Sequence, residues 1–194
     1  TVDDAMDVME TEATEDIEKM AAILPTDKPY LKTGVLETWK KRIPWLMLLM
    51  LSATLTSAIL THYESQLGAL PVLMAFVPML MGTGGNAGSQ ASAMVIRGIA
   101  LKEVEFSDLG KVVWKEIRVS LLLGAILSVA CFVKLLAIDK LYAVENGVLV
   151  ALVICLSMFA TVLLAKLIGA MLPLLAKKCR LDPAVVASPF ITTI

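Results

Sequence analysis

Between Pro44 and Leu175 the chain consists of long apolar blocks separated by short polar ones, and that alternation decides which solvent it needs. Blocks of about 20 apolar residues match the hydrocarbon thickness of a bilayer. Of the 194 residues 58% are hydrophobic and 18% charged. A soluble domain normally carries about a quarter charged residues. The charges also cluster outside the apolar blocks, so their positions say more than the net value of −1. The pattern predicts an all-α, polytopic membrane protein.

Four blocks are long enough to span: about 44–60, 70–96, 117–138 and 147–175, with the start of a fifth at 183–194. Pro44 is tolerated in a first helical turn. The second block is interrupted by Pro78 and by Gly82, Gly84, Gly85 and Gly88. Residues 1–43 form a separate unit ahead of the 44–194 membrane domain. Within it, Val2, Met6, Met9, Ala13, Ile17 and Met20 share one helical face over 1–22. Acids occupy the other half. Pro25 ends that helix, 25–34 is a linker, and Val35–Arg42 is a short basic helix or approach segment.

Loop charge sets the orientation. Lys40, Lys41 and Arg42 precede the first block, whereas the loop from His62 to Ala69 has no Lys or Arg. Arg97, Lys102, Lys111, Lys115 and Arg118 surround the second loop, and Lys177, Lys178 and Arg180 follow the fourth block. The positive-inside bias therefore places the N-terminal helix in the cytoplasm. The acidic opening is no signal peptide, and a start without Met reads as an internal boundary of a longer protein. Cys131, Cys155 and Cys179 have no metal-ligand spacing and read as small hydrophobic filler. Trp39, Trp45 and Trp114 suit interface anchoring. His62 reads as an exposed loop residue, and Lys166 as a side chain snorkelling toward Lys177.

The stretch 78–92, PMLMGTGGNAGSQAS, places Thr83, Asn86, Ser89, Gln90 and Ser92 among four glycines at membrane depth. Amides there are costly unless paired or facing a wet cavity. One reading is a helix lining a polar pathway, with backbone carbonyls and the Asn86 amide oxygen as ligands or water acceptors. The other is helix packing through small residues, whose spacing Gly84 and Gly88 fit. Residue physics leaves both open. Oxygen donors without Cys or His suit a hard divalent cation such as Mg2+. On the N-terminal helix Glu12, Glu15 and Asp16 stand at i, i+3 and i+4 with Asp4 on the same side, a repelling set. They form either a cation sensor or a solvated face.

The stretch 78–101, PMLMGTGGNAGSQASAMVIRGIAL, followed by 167–193, LIGAMLPLLAKKCRLDPAVVASPFITT, resembles the MgtE magnesium channel family. The opening TVDDAMDVMETEATEDI is similar to that family's connecting, or plug, helix. The resemblance implies a homodimer in the plasma membrane with five spans per subunit, its pore formed on the dimer axis by the second and fifth. It implies a pore role for Asn86, for the Thr192 carbonyl, and for Asp182 at the cytoplasmic mouth. It implies that Asp4, Asp7, Glu12, Glu15 and Asp16 bind regulatory Mg2+, closing the pore when the ion is abundant. The family's main pore aspartate belongs two residues beyond Ile194, and Ser188 stands where some relatives have asparagine. Beside this reading stand an ion-coupled divalent-cation carrier and a non-transporting membrane interaction module. No nucleic-acid partner is expected. No enzyme is expected either, since no span carries paired acids, an HExxH-type motif or a Ser/His arrangement.

Overall fold

The computed structural model describes residues 2–21, 23–26, 28–65, 71–143 and 145–185. They are almost entirely helical: α1 (Val2–Met20), α2 (Val35–His62), α3 (Pro71–Ala100), α4 (Leu109–Ala137) and α5 (Gly147–Lys178), with short 3-10 turns before α2, α4 and α5. Three segments are long and apolar enough to cross a membrane: Val35–His62, Phe106–Ala137 and Gly147–Lys178. The chain is thus an all-α, multi-pass membrane protein.

Three helices differ from their sequence expectation. The basic segment 35–42 is continuous with the first apolar block, so Pro44 lies inside α2. There its ring costs one backbone hydrogen bond. α4 starts at Leu109, ahead of the expected 117, directly after the 3-10 turn Phe106–Asp108, which Glu105 and Asp108 cap reciprocally. Most consequential, α3 is not interrupted. Its 30 residues run unbroken through Pro78 and the glycines, and no described glycine has positive φ. Glycine permits a break but does not force one. In an unbroken helix the carbonyls serve the intrahelical ladder, so side-chain oxygens become the main donors α3 can offer an ion. α3 is long enough to span, about 45 Å at 1.5 Å per residue. Its polar middle keeps it out of the group of three apolar spans.

α3, α4 and α5 form one packed unit, with α5 central. α3 and α5 run in the same direction: Gly84 lies against Thr161 and Ala165, and Gly88 against Gly169. Further along, Ala91 and Val95 meet Ala170 and Leu174. α4 runs antiparallel to α5. Ser128 Oγ donates to the Cys155 carbonyl at 2.9 Å, Phe159 covers Gly124, and Glu116 reaches Lys166. A Cβ on Gly169 would lie 2.3 Å from the Gly88 carbonyl oxygen, so these two backbones touch, as helix association in lipid requires. Apolar side chains such as Leu122, Ile126, Val129 and Leu156 point outward, as expected where lipid is the solvent. α2 buries none of its residues within the chain.

Lys166 does not snorkel. It is 5% exposed, and its Nζ sits 3.2 Å from Glu116 Oε2, with the two side chains 6% and 12% exposed. An unpaired charge at this depth would be very costly, so the acid draws the lysine inward across the α4–α5 contact.

Two outcomes are expected in detergent unfolding of the full-length protein. Lys166→Met or Glu116→Leu alone destabilises by roughly 3–5 kcal/mol, and the double variant recovers most of the loss. Gly169→Ala destabilises by about 1–3 kcal/mol through overpacking against backbone, while Gly85→Ala is close to neutral, since nothing lies within 4 Å of a Cβ at Gly85.

Candidate ion pathway and acidic helix

The glycines of α3 serve two purposes. Gly84 and Gly88 face α5, as do the buried Ala87, Ala91, Ser92 and Val95. For these the packing reading holds. On the opposite side Gly82, Asn86, Ser89, Gln90 and Arg97 are exposed. At 100° per residue they form one stripe, and a Cβ at Gly82 would meet nothing within 4 Å. Thr83 Oγ1 instead donates to the Met79 carbonyl at 2.8 Å and stays within the helix. The Asn86, Ser89 and Gln90 side chains have no partner among the described residues. Hydrocarbon cannot satisfy them, so this face requires water, an ion or another polypeptide.

The second candidate region lies between α1 and the turn after α5. Lys19 Nζ donates to Asp182 Oδ2 at 2.7 Å and pairs with Glu15 Oε1 at 2.8 Å one helical turn earlier. Asp182 Oδ1 accepts from the Ala184 backbone N–H at 2.9 Å. The hydrogen bonds that Lys19 donates to Asp182 and Glu15 raise its ammonium well above the usual lysine range, against the opposing effect of burial. Partial burial pushes the Asp182 carboxyl up, but the Lys19 and Ala184 donors outweigh it and leave the group below the usual range. Asp7 and Glu15 line a cavity of about 340 Å³ with Thr11, Thr14, Glu18, Pro25 and Thr26.

Asp182 and Glu15 thus come together, through a lysine that helical periodicity alone did not single out. The Glu15–Lys19 spacing was readable as an i,i+4 pair; the link to Asp182, 163 positions away, was not. Asp7 is exposed and Asp16 half-buried. Asp4 and Glu12 belong to α1, but their side chains lie outside the described residues, as does Thr192. Among the described residues no three acids, histidines or cysteines group closely enough to hold a metal ion. Glu116 and Lys166 are the ionised pair within the spans that sequence reading did not join.

Residues 77–194 match the family model MgtE, described as a divalent cation transporter. This chain belongs to the MgtE family. It is 40% identical to the magnesium transporter MgtE of Thermus thermophilus over 194 residues, covering 100% of this chain and 42% of that protein. It is 34% identical to the magnesium transporter MgtE of Bacillus subtilis, covering 41% of that protein, and 30% identical to that of Enterococcus faecalis, covering 41%. It therefore spans about two fifths of the length of these MgtE relatives.

Titration should report on the α1 contact. Asp182 has a depressed pKa, so its contribution is present above the ordinary carboxylate value near 4 and is lost as the pH falls through the folded value. Lys19 has a raised pKa, so its contribution is present below the ordinary lysine value of about 10.4 and is lost only at still higher pH. Proteolysis of α1 should be slow across neutral pH and accelerate below about pH 4, and Lys19→Met should remove that step.

Proposed function

We propose that this MgtE-family chain forms the Mg2+-conducting part of a homodimeric plasma-membrane channel. In this reading 44–194 is the pore domain and 1–43 a cytoplasmic plug helix and linker. The observation that carries it is the exposed stripe centred on Asn86, on the face of α3 opposite the glycine contacts with α5. The magnesium-transporter names of the relatives supply the ion.

Mg2+ holds its water tightly and prefers oxygen donors. Asn86, Ser89 and Gln90 offer amide and hydroxyl dipoles to the ion's hydration shell without the deep trap a carboxylate would create. Binding weak enough to release is what conduction needs. The bare surface at Gly82 leaves room for that shell beside Asn86. The Thr192 carbonyl completes the proposed pathway from the fifth span.

Asp4, Asp7, Glu12, Glu15 and Asp16, with Asp182, form the proposed regulatory site. Lys19 holds α1 to Asp182 while also engaging Glu15, so regulatory Mg2+ would compete with or join a tethered cation there. Mg2+ bridging the carboxylates favours the closed position, and its loss releases their repulsion. A carrier mechanism is the second reading; the intramembrane Lys166–Glu116 pair favours it, since ion coupling requires a titratable group within the spans.

Asn86→Ala in the full-length protein should fold normally and lower Mg2+ flux by roughly tenfold, equivalent to about 1.4 kcal/mol. Unchanged flux would overturn the pathway assignment. Discrete single-channel openings are expected, and slow turnover without them would favour the carrier. Millimolar Mg2+ should protect 1–30 from protease, and neutralising Glu12, Glu15 and Asp16 together should abolish the protection; equal cleavage with and without the ion would sink the gate.

A further inference from the structure

The linker folds back on the first turns of α2. The Leu24 N–H donates to the Lys41 carbonyl at 3.2 Å, and Lys41 Nζ donates to the Pro25 carbonyl at 2.6 Å. Lys28 Nζ reaches both carboxylate oxygens of Glu37, at 2.9 and 3.1 Å. These contacts enclose a second cavity, of about 320 Å³, whose polar lining includes Lys28, Tyr30, Thr33, Thr38, Lys41 and Arg42. Glu18 is the carboxylate that also lines it, and one of its oxygens is engaged by the Thr26 N–H at 2.8 Å.

Charge and position point to one ligand chemistry. Glu37 offsets Lys28, whereas Lys41 is bonded to a neutral carbonyl and Arg42 has no partner among the described residues. Even with Glu18 counted, the lining leaves positive charge unmatched. The Thr26 hydroxyl oxygen, on the cavity wall, is buried without a hydrogen-bond partner. Such an orphan is costly unless a ligand or water meets it. Arg42 directly precedes Ile43 and the apolar run of α2, so the cavity sits at headgroup depth. Basic pockets at that depth favour anionic headgroups, and planar guanidinium suits phosphate oxygens.

We propose that this cavity is a binding site for a phosphate group, carried by an anionic phospholipid headgroup or free in solution. Arg42 and Lys41 hold the charge and donate to the oxygens, while the Thr33 and Thr38 hydroxyls stay bonded to the Pro29 and Gly34 carbonyls at 3.2 Å. Thr14, Glu18 and Thr26 line both this cavity and the acidic one on α1, so occupancy would act on the segment that links α1 to α2. The site does not depend on the channel reading.

The test uses the full-length protein in nanodiscs of phosphatidylcholine with or without phosphatidylglycerol, counting retained lipids by native mass spectrometry. Wild type is expected to retain phosphatidylglycerol selectively. Arg42→Gln should lower retention roughly fivefold, the equivalent of about 1 kcal/mol for one basic residue at an anionic surface. Lys40→Gln is the control, because Lys40 is exposed and lies outside the cavity lining; it should leave retention unchanged. Displacement of the lipid by excess inorganic phosphate would identify phosphate itself as sufficient, and resistance would assign the lipid diester. Equal loss in Lys40→Gln and Arg42→Gln, or no loss in either, overturns the site.

Discussion

Hydrocarbon offers no hydrogen bonds, so every polar atom within a span must be answered by the protein, by water or by cargo. Several of those in α3–α5 are answered inside the chain. Ser128 reaches the Cys155 carbonyl, Ser120 bonds back to Glu116 and Ile117, Thr83 bonds back to Met79, and Lys166 meets Glu116. The side chains of Asn86, Ser89 and Gln90 are not so answered, and they point away from the face of α3 that is packed on α5. The Ser92 hydroxyl on the packed face is also without a partner, but it is a single buried group, whereas the stripe is a contiguous exposed row, and that continuity is what the proposed pathway rests on.

The packing reading describes half of the glycine run, and the proposed pathway concerns the other half. Gly84 and Gly88 bring α3 into contact with α5, and the 2.3 Å that a Cβ on Gly169 would leave to Gly88 shows why small residues are needed on both sides. Gly82 and Gly85 meet nothing. Close packing on one face rigidifies the helix, so the open face can present its amide at a fixed position. Packing and the proposed pathway are therefore compatible on one helix, which is why neither could be excluded from composition.

What was legible in the sequence follows the range of the interactions concerned. Span lengths and the α1 amphipathic face depend on near neighbours, and α1 emerged within two residues of its expected end. Helix continuity across 82–88 was misjudged, because a glycine run signals conformational freedom and tertiary contact with α5 decided how that freedom was used. Lys166 was misplaced for a similar reason. Snorkelling is the default for an isolated lysine near a helix end, and only the fold reveals that Glu116, fifty positions earlier, stands opposite it.

The same long-range blindness hid Lys19, which alters the electrostatics of the proposed gate. An ammonium between Glu15 and Asp182 leaves the trio with one net negative charge, whereas a divalent ion on the same two carboxylates would leave none. The lysine holds α1 near Asp182 without fully quenching the repulsion among the neighbouring acids of α1. A contact of this kind maintains proximity at little cost and still leaves a charge for Mg2+ to neutralise. Its partly exposed setting, with Asp182 37% accessible, weakens each ion pair, so in the proposed gate an ion in the millimolar range can compete. The Lys166–Glu116 bridge, with its side chains 6% and 12% exposed, lies instead between α4 and α5. Two of the chain's lysine–carboxylate bridges thus differ in depth in a way that suits them to different tasks: Lys166–Glu116 joins α4 to α5 inside the bundle, and Lys19–Asp182 is the one open to exchange in the proposed gate.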